Sequence, residues 1–407
     1  MTVAYLDHAS TTPMTQAALD AYADEALKPG NPSSLHTSGR AARRVVEESR
    51  ETIASVLGAR PSEVVFTSGG TEADNLAIKG IFWGRRAQDA RRTRVLVSAI
   101  EHHAVLDPAF WLAEHAGAEI VLLPVDGDGF IDLDAVRDEL EAGLLDDGGQ
   151  ATALVSVMWA NNEVGTIQPI HEVVRLAHRY GVPVHTDAVQ AVGQIPVDFA
   201  ACGADAMTVT AHKCGGPIGV GALIATRDLA IQAVQHGGGQ ERGVRSGTLD
   251  APGIRSFAVA VADAVGALDD RAAHLAALRD NLVARVRAAI PDAVLRGPDP
   301  AGLLRLPANA HFTFPGCEGD SLLYLLDSHG VEASTGSACQ AGVPRPSHVL
   351  LAMGVDESDA RGALRFSLGP ATSQSDIDAL IDVLPAVVDR AQLAGQASGL
   401  TAKKRKA

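Results

Sequence analysis

Residues 182–216 read VPVHTDAVQAVGQIPVDFAACGADAMTVTAHKCGG. Two short apolar runs, Val182-Pro183-Val184-His185 and Ala206-Met207-Thr208-Val209, each lead into a polar cluster. The first cluster runs from Thr186 to Gln190 and the second from Thr210 to Lys213. Apolar runs without polar alternation suit strands buried on both faces, as in a parallel sheet under helical cover. In open parallel sheets ligands sit outside the carboxyl ends of the strands, so both clusters are candidates for a site. The same pattern recurs at Val64–Phe66, Arg94–Val97, Ile120–Leu123, Leu154–Val157 and Gly221–Ile224, which makes about seven strands between residues 60 and 225. Between most of them lie helix-length segments rich in Ala, Leu, Glu and Arg, the signature of an α/β fold.

The pattern then changes. His236-Gly237-Gly238-Gly239-Gln240 marks a loop. Residues 253–292 read as one long Ala-rich helix, followed by shorter strands at His311–Phe314, Val331–Ser334 and Leu364–Ser367. A second, smaller α+β domain is expected there.

Of the 407 residues, 46 % are apolar and 20 % charged, enough to bury a core and too apolar for a disordered chain. Aromatics are only 4 %, too few for stacking platforms on single-stranded nucleic acid. The 34 basic residues against 49 acidic ones give a net charge of −15, which repels phosphate backbones and anionic membranes. Cys202, Cys214, Cys317 and Cys339 show no close pairing, against a disulfide-stapled or zinc-ribbon domain. The start MTVAYLDHASTTP has no basic and apolar leader, and no long apolar span follows. A cytoplasmic enzyme-like chain, with no membrane and no direct nucleic-acid partner, is expected. The KKRK of residues 403–406 reads as a solvated tail.

Lys213 follows a strand and precedes Gly215-Gly216-Pro217; it is either a surface lysine or an amine able to bond an aldehyde cofactor. Asp187 is either a helix cap or the carboxylate partner of a pyridinium. Thr67-Ser68-Gly69-Gly70-Thr71-Glu72 links a strand to a helix, with Thr71 able to cap and the helix start able to cradle phosphate. It is neither a Walker A loop nor a dinucleotide fingerprint. Cys339 sits in Ser334-Thr335-Gly336-Ser337-Ala338-Cys339-Gln340-Ala341-Gly342, small and polar surroundings that suit a reactive thiolate, whereas Cys202 and Cys317 read as buried and Cys214 stays open. His102-His103 lacks the spacing of a metal pair, and a ring stacked on a planar cofactor fits as well. Arg365 in an apolar strand is either a buried structural ion pair or a carboxylate ligand.

Taken in order, LDHA (6–9), GNPSSLH (30–36), TSGGTEADN, EHHAV, NNEVGT, HTDAVQ, AHK, RSGT, GSAC and RFSLG resemble the cysteine desulfurases of the NifS/IscS type. These belong to the class-V aminotransferase group of fold-type I enzymes that use pyridoxal 5′-phosphate. The resemblance covers nearly the whole chain except the basic tail. It implies a large domain over 15–260 with a mostly parallel seven-stranded sheet, a small α+β domain over 1–14 and 261–395, and a basic tail over 396–407. It implies that Lys213 bonds the cofactor, that Asp187 faces its ring nitrogen, that Gln190 meets its phenolic oxygen and that His102 stacks on it. Asn162 would lie beside cofactor and substrate. Gly70, Thr71, Thr210 and His212 would hold the phosphate, and Thr248 the phosphate of a neighbouring subunit, hence a homodimer. Asn31 and Arg365 would place the substrate carboxylate. Lys213 and His102 would move protons, and Cys339 would take sulfur from L-cysteine as a persulfide, with L-alanine as product. Implied partners are an iron–sulfur scaffold protein and other sulfur acceptors, with Cys339 as ligand of a transient iron–sulfur cluster. Gln340-Ala341, Cys214 and Pro217-Ile218-Gly219 depart from the group's usual residues and touch none of these roles. Rival readings are a selenocysteine lyase or aminotransferase on the same fold, a cofactor-free scaffold, and a nucleic-acid binder resting on the tail alone.

Overall fold

The computed structural model describes residues 3–336 and 346–397. Cys339 and the KKRK tail lie outside the described residues. The strands are β1 (Ala4–Tyr5), β2 (Val64–Thr67), β3 (Arg94–Ser98), β4 (Glu119–Leu123), β5 (Thr152–Ser156), β6 (Val184–Asp187), β7 (Ala206–Thr210), β8 (Gly221–Ala225), β9 (Val294–Arg296), β10 (Asn309–Thr313), β11 (Val331–Glu332) and β12 (Ala363–Ser367).

Strands β2 to β8 form one seven-stranded sheet in the order β2-β8-β7-β6-β5-β3-β4. Only β8 runs antiparallel to its neighbours. Every residue of β2, β3, β5, β6, β7 and β8 is buried, while β4 at the edge is partly exposed. Successive strand residues point to opposite faces. Accordingly Phe66, Leu96 and Val155 enter one apolar cluster while their neighbours Val65, Val95 and Leu154 enter another. Burial on both faces explains why these strands read as unbroken apolar runs.

The region after 290 forms an antiparallel sheet, β12-β10-β9, beside a parallel pair, β1 with β11. Ala4 and Leu6 pack in the same apolar cluster as Phe312, Leu364 and Leu384. The sequence pattern missed β1 and β9. The first is two residues long and pairs with residues more than 300 positions away, and the second is short and partly exposed.

The expected single helix over 253–292 is two helices, Ala251–Gly266 and Leu268–Ala289, meeting at 70°. Ala267 leaves helical geometry with φ −102° and ψ 13°. The reason is packing. Ile254, Phe257, Val261 and Ala264 serve the core of the large sheet, whereas Leu275, Leu278, Leu282 and Val286 serve the small one. One straight helix cannot present its apolar face to both. Asp250 caps the first of the two, accepting from the Gly253 N–H at 3.2 Å. Among the described residues no single helix is long and apolar enough to cross a membrane. The bent pair passes that test jointly, by length and composition alone.

Candidate active site

A cavity of about 330 Å³ opens at the carboxyl ends of the central strands, where the small sheet meets the large one. Its floor is made by β6 and β7. Asp187 is the last residue of β6 and is buried. Its Oδ1 accepts from the Val189 N–H at 2.8 Å. Burial pushes its carboxyl up to about 6, against that hydrogen bond and the nearby Lys213 cation. Gln190 follows, with Nε2 donating to the Ala9 carbonyl at 2.9 Å.

Thr210 ends β7, and its hydroxyl donates to the Val220 carbonyl at 3.2 Å. Lys213 lies three residues further on and lines the cavity. Its Nζ donates to the carbonyls of Ala9 at 2.5 Å and Ser10 at 2.6 Å. Burial, helped by Arg365, lowers its ammonium pKa to about 8 against the attraction of Asp7 and Asp187. His212 meets Thr11 Oγ1 at 3.3 Å, and burial lowers its imidazole to about 4.

His102 ends the loop after β3 and caps the helix His103–Ala116, its Nδ1 accepting from the Ala104 N–H at 3.1 Å. Burial, reinforced by Lys213, lowers its pKa to about 4, so the ring is neutral with its remaining proton on Nε2. The first turn of the helix Gly70–Asn75 supplies Gly70 and Thr71. A Cβ at Gly70 would stand 3.2 Å from Val189 Cγ2, so glycine keeps this edge uncrowded. The expected cap by Thr71 is not made. Gly69, at φ 144°, holds the cap position without a side-chain bond, and Glu72 instead reaches back to the Ser68 N–H at 2.6 Å. An intervening glycine conformation moves Thr71 past the capping position and turns it to the cavity.

Arg365 in β12 forms the opposite wall. Its guanidinium donates to Asp7 Oδ1 at 2.7 Å, Ser10 Oγ at 2.9 Å and the Asn162 carbonyl at 3.0 Å. Its buried Nε has no hydrogen-bond partner among the described residues. Across the strand pair stands His311, which burial lowers to about 3 and keeps neutral. Arg365 is therefore ion-paired, as one of its two readings has it, and it also lines the cavity. Asn162 lines the same cavity.

Two expected residues lie elsewhere. Asn31 is exposed, with Oδ1 accepting from the Ser33 N–H at 2.9 Å. Thr248 is also exposed and outside the cavity. Cys339 lies outside the described residues. Cys202, Cys214 and Cys317 are buried. Burial pushes the Cys214 and Cys317 thiols up to about 12, which makes both inert.

The structure adds residues that the sequence reading gave no role. Ser10, His103, Glu163 and His348 line the cavity, and Asp74 is buried beneath it. Glu101 is fully buried nearby, accepting from the Met158 N–H at 2.5 Å, with its other oxygen unpartnered among the described residues. Burial raises the carboxyls of Asp74 and Glu101, and the negative charge of Asp187 adds to both. His103, Glu163, Asp74 and Glu101 sit inside the quoted motifs, whereas Ser10 and His348 lie outside them.

Residues 4–380 match the family model "Aminotransferase class-V". The chain belongs to the class-V aminotransferase family. Within it, the chain is similar to the IscS and NifS proteins. It is 56 % identical over 396 residues to the "IscS-like cysteine desulfurase" of Mycobacterium tuberculosis, spanning 97 % of this chain and 99 % of that one. It is 43 % identical over 392 residues to "Cysteine desulfurase IscS" of Dictyoglomus turgidum, spanning 95 % and 94 %. Among solved structures, a "NifS-like protein" superposes with a TM-score of 0.85 at 34 % identity, covering 96 % of this chain and all of that one.

Proposed function

We propose that this chain is a cysteine desulfurase that uses pyridoxal 5′-phosphate, takes sulfur from L-cysteine onto Cys339 as a persulfide, and releases L-alanine. The observation that carries the reading is one cavity holding the partly desolvated Lys213 amine, the buried Asp187 carboxylate and the Arg365 guanidinium. These three are what an aldehyde, a pyridinium N–H and an amino-acid carboxylate require. The open edge at Gly70 and the unpartnered Arg365 Nε fit a bound cofactor and substrate.

Lys213 would hold the cofactor, Asp187 its ring nitrogen, Gln190 its phenolic oxygen, and Gly70, Thr71, Thr210 and His212 its phosphate. Bound there, pyridoxal phosphate supplies an electron sink for the carbanion left by an α-proton. His102, its ring neutral, would lie against the cofactor without adding a cation. Arg365 fixes the substrate carboxylate, with Asn162 beside it. The Lys213 amine would take the α-proton and later return one. The Cys339 thiolate attacks the substrate sulfur, the carbon–sulfur bond breaks with its electron pair going to carbon, that carbon takes up a proton on the way to alanine, and the persulfide stays on the enzyme.

The same reading makes the protein a cytoplasmic homodimer in which Thr248 and Asn31, both exposed in the single chain, serve the site once two chains meet. It takes an iron–sulfur scaffold protein and other sulfur acceptors as partners, with a transient iron–sulfur cluster at Cys339. The division into 15–260, and 1–14 with 261–395, belongs to this proposal; the two large apolar clusters follow it except at Val261, Ala264 and Leu306, and a smaller cluster of Ile100, Met158 and Val164 with Val349 and Leu350 joins the two parts.

The test is release of alanine and sulfide from L-cysteine under a reductant, with wild type and Cys339→Ser compared. Both products from wild type and neither from a variant of intact cofactor absorbance are expected. Full activity in Cys339→Ser overturns the persulfide step and turns the search to selenocysteine or another amino acid.

A further inference from the structure

Ser10 is exposed, lines the cavity and takes no part in the chemistry above. It touches both Lys213 and Arg365. Its carbonyl accepts from Lys213 Nζ at 2.6 Å, and its Oγ accepts from Arg365 Nη2 at 2.9 Å. An α-amino acid carries its amine and its carboxylate on one carbon. A substrate that brings the first toward Lys213 and the second toward Arg365 therefore lies against Ser10.

The segment around Ser10 is held from several sides. The Ser10 N–H donates to the Asp7 carbonyl at 3.0 Å, and the Ala9 N–H donates to Ser367 Oγ at 2.9 Å. The Tyr5 hydroxyl donates to the Thr11 carbonyl at 2.8 Å. A side chain on so fixed a backbone loses little freedom when a ligand binds.

The hydrogen-bond inventory leaves room for a further donor. Arg365 gives three of the five N–H groups of a guanidinium to Asp7, Ser10 and the Asn162 carbonyl. Two remain for a substrate carboxylate, which offers about four lone-pair sites. Ser10 Oγ spends a lone pair on Arg365 and keeps its own O–H, for which the described residues supply no acceptor. Linked hydrogen bonds polarise one another, so a hydroxyl that accepts from a guanidinium donates more strongly.

We propose that Ser10 is a substrate-binding residue: its hydroxyl accepts from Arg365 and donates to the α-carboxylate of the amino-acid substrate. This rests on the reading of Arg365 as the carboxylate ligand. It makes Ser10 a reader of the carboxylate and not of the substrate side chain, so that L-cysteine and L-alanine feel it alike.

The experiment uses the holoenzyme of wild type, Ser10→Ala and Ser10→Thr. Binding is read from the change in cofactor absorbance with two ligands: L-alanine, which has the carboxylate and no thiol, and ethylamine, which has no carboxylate. In Ser10→Ala the Kd of L-alanine is expected to rise ~tenfold, the loss of one hydrogen bond to a charged group, with ethylamine binding and cofactor content unchanged. The KM for L-cysteine rises to a similar extent with kcat near wild type. Ser10→Thr keeps the hydroxyl and recovers most of the affinity. Unchanged L-alanine binding in Ser10→Ala overturns the proposal. An equal loss for L-alanine and ethylamine also overturns it, and reduces Ser10 to shaping the segment. A wild type that binds L-alanine no better than ethylamine fails the reading of Arg365 itself, and the role of Ser10 with it.

Discussion

Lys213 is gripped by two backbone carbonyls and faces a guanidinium, and this sets its chemistry more than its place in the sequence does. The neutral amine, not the ammonium, condenses with an aldehyde. With its pKa lowered from 10.5 to about 8, loading of cofactor-free protein with pyridoxal phosphate rises ~tenfold per pH unit up to about 8 and levels off above it. Absorbance of bound cofactor against pH checks this; a plateau reached only near 10.5 rejects it. The sign for stability follows. Between 8 and 10.5 the unfolded chain binds the proton that the folded one has released, so this group's contribution to stability rises with pH. Asp187 is the second residue to test. Asp187→Asn keeps the shape but removes the charge that would face a pyridinium, and turnover is expected to fall by ~100-fold or more with little change in cofactor content. At this scale the motifs were legible because the chemistry is local: Lys213 and Asp187 each sit at the end of an apolar run. Arg365 was not decided locally, since its partner Asp7 is 358 positions away.

Among elements, the strands were read well because burial on both faces writes itself into composition. The helices were read less well. The one local mark at the break in residues 253–292 is Gly266, which weakens a helix without by itself ending it; the bend comes from two cores competing for one apolar stripe. The loop before Ala251 shows another device hidden from sequence. Glu241 and Arg242 adopt positive φ, 44° and 60°, although neither is glycine. The strain is offset by the Glu241 carboxylate, which takes Arg50 Nη2 at 2.6 Å and the Phe66 N–H at 2.8 Å, joining the loop to β2 and to the helix Thr37–Val56. Both side chains of the pair are nearly buried. Glu241→Ala removes the bidentate partner of a buried guanidinium, which keeps only Glu47 and the Val64 carbonyl, and leaves a strand N–H unpaired; a loss of about 3 kcal/mol is expected in urea unfolding. A loss below about 1 kcal/mol would show that water replaces the carboxylate there.

Across the whole molecule the site is assembled from distant parts: the N-terminal Asp7 to Ser10, the ends of β6 and β7, the loop after β3, and β12 of the small sheet. Thr248 lies outside the cavity of the single chain, three residues after Arg245, whose guanidinium holds Glu72 at 2.7 Å beside the Gly70–Thr71 edge. If two chains complete each site, Thr248→Ala removes one hydrogen bond to a charged phosphate. Cofactor is then expected to dissociate ~tenfold faster while sedimentation still shows a two-chain species. Unchanged retention would remove Thr248 from the site.

By itself the sequence determined the α/β class, the seven central strands and the polar residues at their ends. Those features are written in short-range periodicity and in motifs a few residues long, and each needs only its own neighbours to exist. The tertiary structure alone decided which of those ends share a cavity, that Arg365 is both paired and available, that the long helix breaks at Ala267, and that Ser10 meets both Lys213 and Arg365. Each of these depends on which surfaces compete for burial across the chain, and local pattern alone does not encode that competition.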